Sequence, residues 1–160
     1  MILCCILIIA GIFFGDLKIK NLIERNETPA DSNFQTRSGV LPASIWKNRI
    51  LIKKYHNKGA MLNLGRSKSA VVAALSAVLC ILITAAFLLS LGTRGNNLLR
   101  MGLSVLLGGS FSNTYDRLKR KYVVDYFSFN VKCCGIRRIV FNISDFCIMI
   151  GAAMAVLGTS

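Results

Sequence analysis

SAVVAALSAVLCILITAAFLLSLGT, residues 69–93, runs for 25 residues without a charged side chain and is rich in Ala, Leu, Val and Ile. As a helix it would rise about 37 Å, more than the roughly 30 Å hydrocarbon core of a bilayer, so the stretch predicts a transmembrane helix. Its neighbours follow from it. Gly92 to Arg100 is a short polar connection, which returns the next helix antiparallel beside the first. That helix begins at Met101, and its small residues Gly102, Ser104, Gly108, Gly109, Ser110 and Ser112 permit close contact between helices. A further apolar run fills residues 139–160. At the other end, Met1 to Gly15 is uncharged but reaches only about 22 Å, so a first span must continue through Asp16 to about Leu22, with Lys18 and Lys20 snorkelling to the interface. No basic n-region or A-x-A site precedes Asp16, which favours a span over a secretory signal peptide.

These runs predict a mainly α membrane protein, a single membrane-embedded domain over residues 1–160 with four transmembrane helices at about 1–22, 69–93, 101–117 and 139–160. The composition agrees: 54% of the 160 residues are hydrophobic, and a mean hydropathy of +0.55 is too apolar for an ordinary soluble domain. Residues 26–68 are polar, contain both prolines and form an extramembrane segment. Within it Ile45 to Tyr55 is rich in β-branched and aromatic residues, predicting a strand or short hairpin, and Asn57-Lys58-Gly59 signals a turn. Trp46 and Tyr55 suit a membrane interface, and His56 among lysines reads as a solvated loop residue.

The formal charge of +13 sits in two blocks between apolar segments rather than along one polar domain, which points to anionic phospholipid headgroups and not to nucleic acid. The six cysteines contain no C-x-x-C pair, and His56 is the only histidine, so neither a zinc site nor a His-rich metal site is expected, and no cofactor is implied. Four spans place both termini on one side. The positive-inside rule would put in the cytoplasm the side whose loops and helix ends hold every Lys and Arg except Arg94 and Arg100, although long loops cross largely regardless of charge.

The chemistry is carried between Gly108 and Gly151. If the third span is helical through Arg117, Asn113, Asp116 and Arg117 share a face at i, i+3 and i+4, and Asn142 and Asp145 share one at i, i+3. Carboxylates are costly inside a bilayer, so an Asp in an apolar run needs a reason. Asp116 adjoins Arg117 and further cations that keep it ionised. Asp125 and Asp145 sit among Val, Tyr, Phe and Ile and are the candidates to share a proton. Two carboxylates dividing one proton can hydrolyse a peptide bond without metal, one activating water and the other protonating the carbonyl oxygen. An Asp116–Arg117 ion pair with Asp145 capping a helix accounts for the same residues equally well. Asp16 and Lys20, at i, i+4, read as an ion pair at a helix end.

Three successive segments, Gly108-Gly109-Ser110-Phe111-Ser112-Asn113-Thr114-Tyr115-Asp116-Arg117, Val123-Val124-Asp125-Tyr126 and Phe141-Asn142-Ile143-Ser144-Asp145, resemble the motifs of signal peptidase II, the bacterial lipoprotein signal peptidase family. Asn57-Lys58-Gly59-Ala60 resembles its Asn-x-Gly-Ala segment, and Asp16 with Lys20 its Asp-Gln-x-x-Lys motif. The resemblance implies a four-helix intramembrane aspartyl endopeptidase with a small β-rich cradle between helices 1 and 2, in the bacterial cytoplasmic membrane, termini cytoplasmic and active site toward the outer leaflet. It implies that Asp125 and Asp145 are catalytic and that Asn57, Asn113, Asp116, Arg117 and Asn142 support them or contact substrate. The implied substrates are diacylglyceryl-modified prolipoproteins, cut before the lipidated cysteine, with no metal. The chain departs from the family pattern at Leu17, where Gln is usual, at Ser112, where Gly precedes the Asn, and at Ser144, where Ala precedes the second Asp.

Other functions compete for the same residues. A small carrier or channel subunit would use the intramembrane Asp and Arg as ion ligands, but residues 69–93 offer it only Ser76, Thr84 and Ser90 as polar groups. A two-metal lipid phosphotransferase would need more carboxylates than Asp116, Asp125 and Asp145. A non-catalytic membrane protein of the same fold requires that Asp125 and Asp145 stay apart.

Overall fold

The computed structural model describes residues 1–25, 44–45, 49–59, 68–92, 96–130 and 139–159. Four helices and three strands follow in the order α1 (Ile2–Arg25), β1 (Ser44–Ile45), β2 (Ile50–Asn57), α2 (Ser69–Gly92), α3 (Asn97–Lys119), β3 (Val123–Phe129) and α4 (Ile143–Leu157). Trp46, Ala60 and the Cys133–Cys134 pair lie outside the described residues.

Polarity is arranged inside out. On α1 the buried residues are Cys5, Asp16 and Lys20, while Ile2, Leu3, Ile6, Leu7, Phe14 and Leu22 face outward. On α2 a row of Val, Leu and Ile from Val71 to Leu89 is likewise exposed. A water-facing helix would do the reverse, and among the described residues α1 and α2 are the two helices long and apolar enough to cross a membrane. At 23 residues α3 has the length of a span but buries a polar stripe of Ser104, Ser112, Asn113 and Asp116. By contrast α4 has 15 residues and a rise of about 22 Å.

The central element is α3, against which α1, α2 and α4 all pack, most extensively α4. Glycine makes this possible. A Cβ at Gly151 would stand 2.7 Å from Gly102 O and 2.8 Å from Leu106 Cα, and one at Gly109 would stand 2.6 Å from Ser144 O. Backbone atoms cannot step aside as a flexible side chain can. Gly151→Ala is therefore expected to destabilise the fold by about 1–3 kcal/mol, whereas Gly15→Ala, whose Cβ meets nothing within 4 Å, leaves the unfolding temperature unchanged. Thermal unfolding of both variants in detergent checks the contrast.

The strands form one antiparallel sheet, β1-β2-β3. The hairpin predicted near Ile45 to Tyr55 is present as β1 and β2, but the cradle is not confined to the segment between the first two helices. Its third strand comes from beyond α3, with Tyr55 opposite Asp125 and Asn57 opposite Val123. The β-branched and aromatic run Val123-Val124-Asp125-Tyr126-Phe127 has strand propensity that its basic flanks obscured. Lys121, in the left-handed region at φ 67°, turns the chain from α3 into β3. A bridge between Phe127 and Phe141 and a cluster of Phe127, Phe129, Phe141 and Phe146 then lay the start of α4 on β3.

Two local expectations are corrected. His56 lies in β2, where Nε2 is 2.7 Å from Glu24 Oε1 and the ring packs 4.1 Å from that of Tyr122, because the sheet folds over the end of α1. Lys20 does not snorkel outward. It is fully buried, since the acceptors that satisfy its ammonium all lie inside the bundle.

Candidate active site

Asp125 and Asp145 arrive from different elements. Asp125 is the third residue of β3 and 3% exposed. Asp145 is the third residue of α4. One residue touches both: the Asn142 side chain donates to Asp125 Oδ1 at 2.8 Å, and its backbone N–H donates to Asp145 Oδ2 at 3.1 Å. Asn142 Oδ1 accepts in turn from the Asp145 N–H at 3.0 Å, closing a capping box that satisfies two amides at the start of α4. The same box that begins the helix thus aims Asp145.

Each carboxylate has a second amide donor. Asn57 Nδ2, at the end of β2, donates to Asp125 Oδ2 at 3.1 Å, and its own Oδ1 accepts from Gly59 N–H in the predicted turn. On α3, Asn113 Nδ2 donates to Asp145 Oδ1 at 2.9 Å. Burial, with the Asp145 charge nearby, pushes the Asp125 carboxyl up to about 7. Such a group keeps its proton close to neutral pH.

The face expected to unite Asn113, Asp116 and Arg117 divides its labour. Arg117 Nη2 donates to Gly59 O at 2.9 Å, tying α3 to the turn after Asn57, and its guanidinium lies within electrostatic reach of both Asp125 and Asp145. Its Nε is buried without a hydrogen-bond partner among the described residues. Asp116 instead pairs with Lys20 at 3.2 Å and Arg120 at 3.4 Å, and accepts from the Val124 N–H at the start of β3.

Beneath the carboxylates lies a network that motif spacing only touched. Lys20 Nζ reaches Asp16 Oδ2 at 2.7 Å, Asn113 Oδ1 at 2.8 Å and Ser112 Oγ at 3.0 Å. Because Lys20 holds the Asn113 carbonyl oxygen, the Asn113 amide is the end presented to Asp145. Ser112 and Ser144, two of the departures from the family pattern, each donate to Asp16 Oδ2 at 2.6 Å. Tyr126 OH donates to Asp16 Oδ1 at 2.8 Å and accepts from the Ile143 N–H at 3.0 Å. Burial and the Asp16 charge raise the Tyr126 phenol well above its ordinary value, so it stays protonated. Tyr126 could have been suspected from sequence, since a buried Tyr needs a partner for its hydroxyl, but its partner could not.

A family model described as signal peptidase (SPase) II matches residues 8–159. A lipoprotein signal peptidase of Clostridium acetobutylicum is 34% identical over 111 residues, covering 69% of this chain and 70% of the relative. One of Moorella thermoacetica is 34% identical over 96 residues, covering 60% and 59% respectively. Two solved structures described as a bacterial membrane enzyme, obtained by the in meso method, share the fold with TM-scores of 0.79 and 0.76 at 20% identity. Each alignment covers 99% of this chain, with 88% and 94% of the respective structure.

Proposed function

As the chain belongs to the signal peptidase II family, we propose that it is an intramembrane aspartyl endopeptidase removing the signal peptide from diacylglyceryl-modified prolipoproteins, with Asp125 and Asp145 as the catalytic pair. The family name already makes it a protease of lipoprotein processing. The finer reading rests on one observation, that Asn142 holds a hydrogen bond to each of two carboxyl groups; burial pushes one of them, Asp125, up to about 7.

In this reading the pair shares one proton. The ionised member draws a proton from a water molecule whose oxygen attacks the scissile carbonyl carbon, and the protonated member gives its proton to the carbonyl oxygen. The first member then passes its new proton to the leaving nitrogen while the second takes one back from a hydroxyl of the tetrahedral intermediate, so that the C–N bond breaks, the amine departs and the pair is restored. Asn57, Asn113 and Asn142 supply N–H groups only to the carboxylates they touch, which fixes both without delivering a competing proton acceptor. Arg117 provides fixed positive charge near the pair and anchors the Gly59 turn at the rim of the site.

If all four helices span and the far end of α4 reaches the opposite face, a rise of about 22 Å against roughly 30 Å of hydrocarbon sets the carboxylates some 8 Å below the surface. A bond beside a lipid-modified cysteine would present itself at that depth. The termini are assigned to the cytoplasm and the sheet to the outer leaflet, where the basic loops meet anionic headgroups.

Purified protein in detergent is expected to cut a diacylglyceryl-modified prolipoprotein immediately before the lipidated cysteine and to spare the unmodified precursor. Mass spectrometry of the products reads the bond. Folded protein that leaves several lipidated precursors intact would overturn the assignment.

A further inference from the structure

Tyr126 is adjacent to Asp125 in β3, so its side chain leaves the opposite face of the strand. There it meets the first turn of α4. Its hydroxyl uses both capacities, accepting from the N–H of Ile143, the first residue of that helix, and donating to Asp16 of α1. The Ile143 amide is one of the helix-start donors with no partner inside the helix. Asn142 and Asp145 satisfy two neighbouring amides between themselves, and Ser144 ties its side chain to the same Asp16.

We propose that Tyr126, backed by Asp16, is a positioning residue that fixes the first turn of α4 on β3 and thereby holds Asp145 in register with Asp125. The proposal rests on the assignment of these two carboxylates as the catalytic pair. The backbone pairing of Tyr126 and Phe127 with Phe141 sets the approach of the two elements. The turn after Asn142 is held further through Asp16, to which the Ser144 side chain and the Tyr126 hydroxyl both donate, and through the Ile143 N–H, from which the Tyr126 oxygen accepts. Asp16 is itself anchored from outside that turn by Lys20 of α1 and Ser112 of α3.

Tyr126→Phe keeps the ring and deletes only the bridge. Measured per folded molecule on a lipidated precursor, kcat is expected to fall about 10- to 100-fold with KM changed less than about threefold, because displacement of a reacting group by an ångström costs on that order. The pH profile supplies a readout that mere destabilisation does not move. Asp125 feels Asp145 from α4, Arg117 from α3 and Lys20 from α1. Burial and the Asp145 charge both hold the Asp125 carboxyl up, and loosening the first turn of α4 weakens both, so the limb near pH 7 is expected to shift toward lower pH. Ser144→Ala, which loosens the same turn through Asp16, should lower kcat less, and the double variant should show less than the product of the two losses.

Amide hydrogen exchange gives an independent arm that needs no cleavage. Ile143 and Ser144 should exchange at least about tenfold faster in Tyr126→Phe, with the amides at the middle of α4 unchanged. Wild-type exchange at these two amides overturns the proposal, as do wild-type kcat and pH profile in both single variants. Failure of the wild-type enzyme to cut, with exchange altered as described, would instead count against the catalytic assignment while leaving the positioning of the turn intact.

Discussion

Asp125→Asn and Asp145→Asn are each expected to reduce cleavage of a lipidated precursor by about 10³-fold or more while the protein remains folded in detergent. Asparagine matches the volume of aspartate and can still accept from Asn142, but it cannot exchange a proton. For Asp125 the effect on stability has a definite sign. Its carboxyl in the folded chain sits at about 7, above the ordinary value near 4, so the folded state keeps a proton that the unfolded state has lost. That favourable contribution is complete at low pH and disappears as the pH rises through about 7. Asp125→Asn carries no charge to desolvate and should flatten this part of the stability profile. Wild-type cleavage should likewise decline as the pH climbs past 7 and the shared proton is lost. Cleavage retained in either variant would show that the carboxylates are not the reacting pair.

Lys20→Met is expected to have the largest effect on stability, a loss of about 3–5 kcal/mol. The ammonium is fully buried and lies within ion-pair distance of both Asp16 and Asp116. Without it Asp16 has no ion-pair partner among the described residues, in a place where water cannot take over. Two consequences should appear together in a denaturation and activity assay. The unfolding midpoint drops, and the surviving folded fraction cleaves slowly, because the Asn113 amide loses the contact that orients it toward Asp145. Lys18→Ala, two residues away on the exposed side of α1, should change neither. A stable, fully active Lys20→Met would mean that the buried pairing contributes nothing to the fold.

The fate of the lysines also shows where reading a sequence stops. The unbroken apolar run at residues 69–93 was enough to place a helix, found at Ser69–Gly92, because length and hydrophobicity act locally along the chain. The turn at Asn57-Lys58-Gly59 and the small residues of α3 were legible for the same reason. So was the i, i+3 relation of Asn142 and Asp145, which became a capping box. Spacing pairs Lys20 with Asp16 at i, i+4, but nothing local says that Lys20 is buried while Lys18 is exposed. Only the packing of α3 behind α1 turns one outward and surrounds the other with acceptors.

The same holds for the carboxylate network. Asp16 is joined to residues 96, 110 and 128 positions away in sequence, through Ser112, Tyr126 and Ser144. Two of those hydroxyls, on Ser112 and Ser144, stood in the sequence only as departures from the family pattern, and they share one oxygen of Asp16. Residues 123–129 form the third strand of the cradle, which no hairpin or turn signal announced, because a strand at a sheet edge is recognised only once its partner is in place. What the sequence by itself determined is each segment's local periodicity and the identity of its chemical groups. Tertiary structure alone decided which of those groups meet, since contacts across a hundred residues depend on how whole helices and strands pack and leave no periodic trace in the chain.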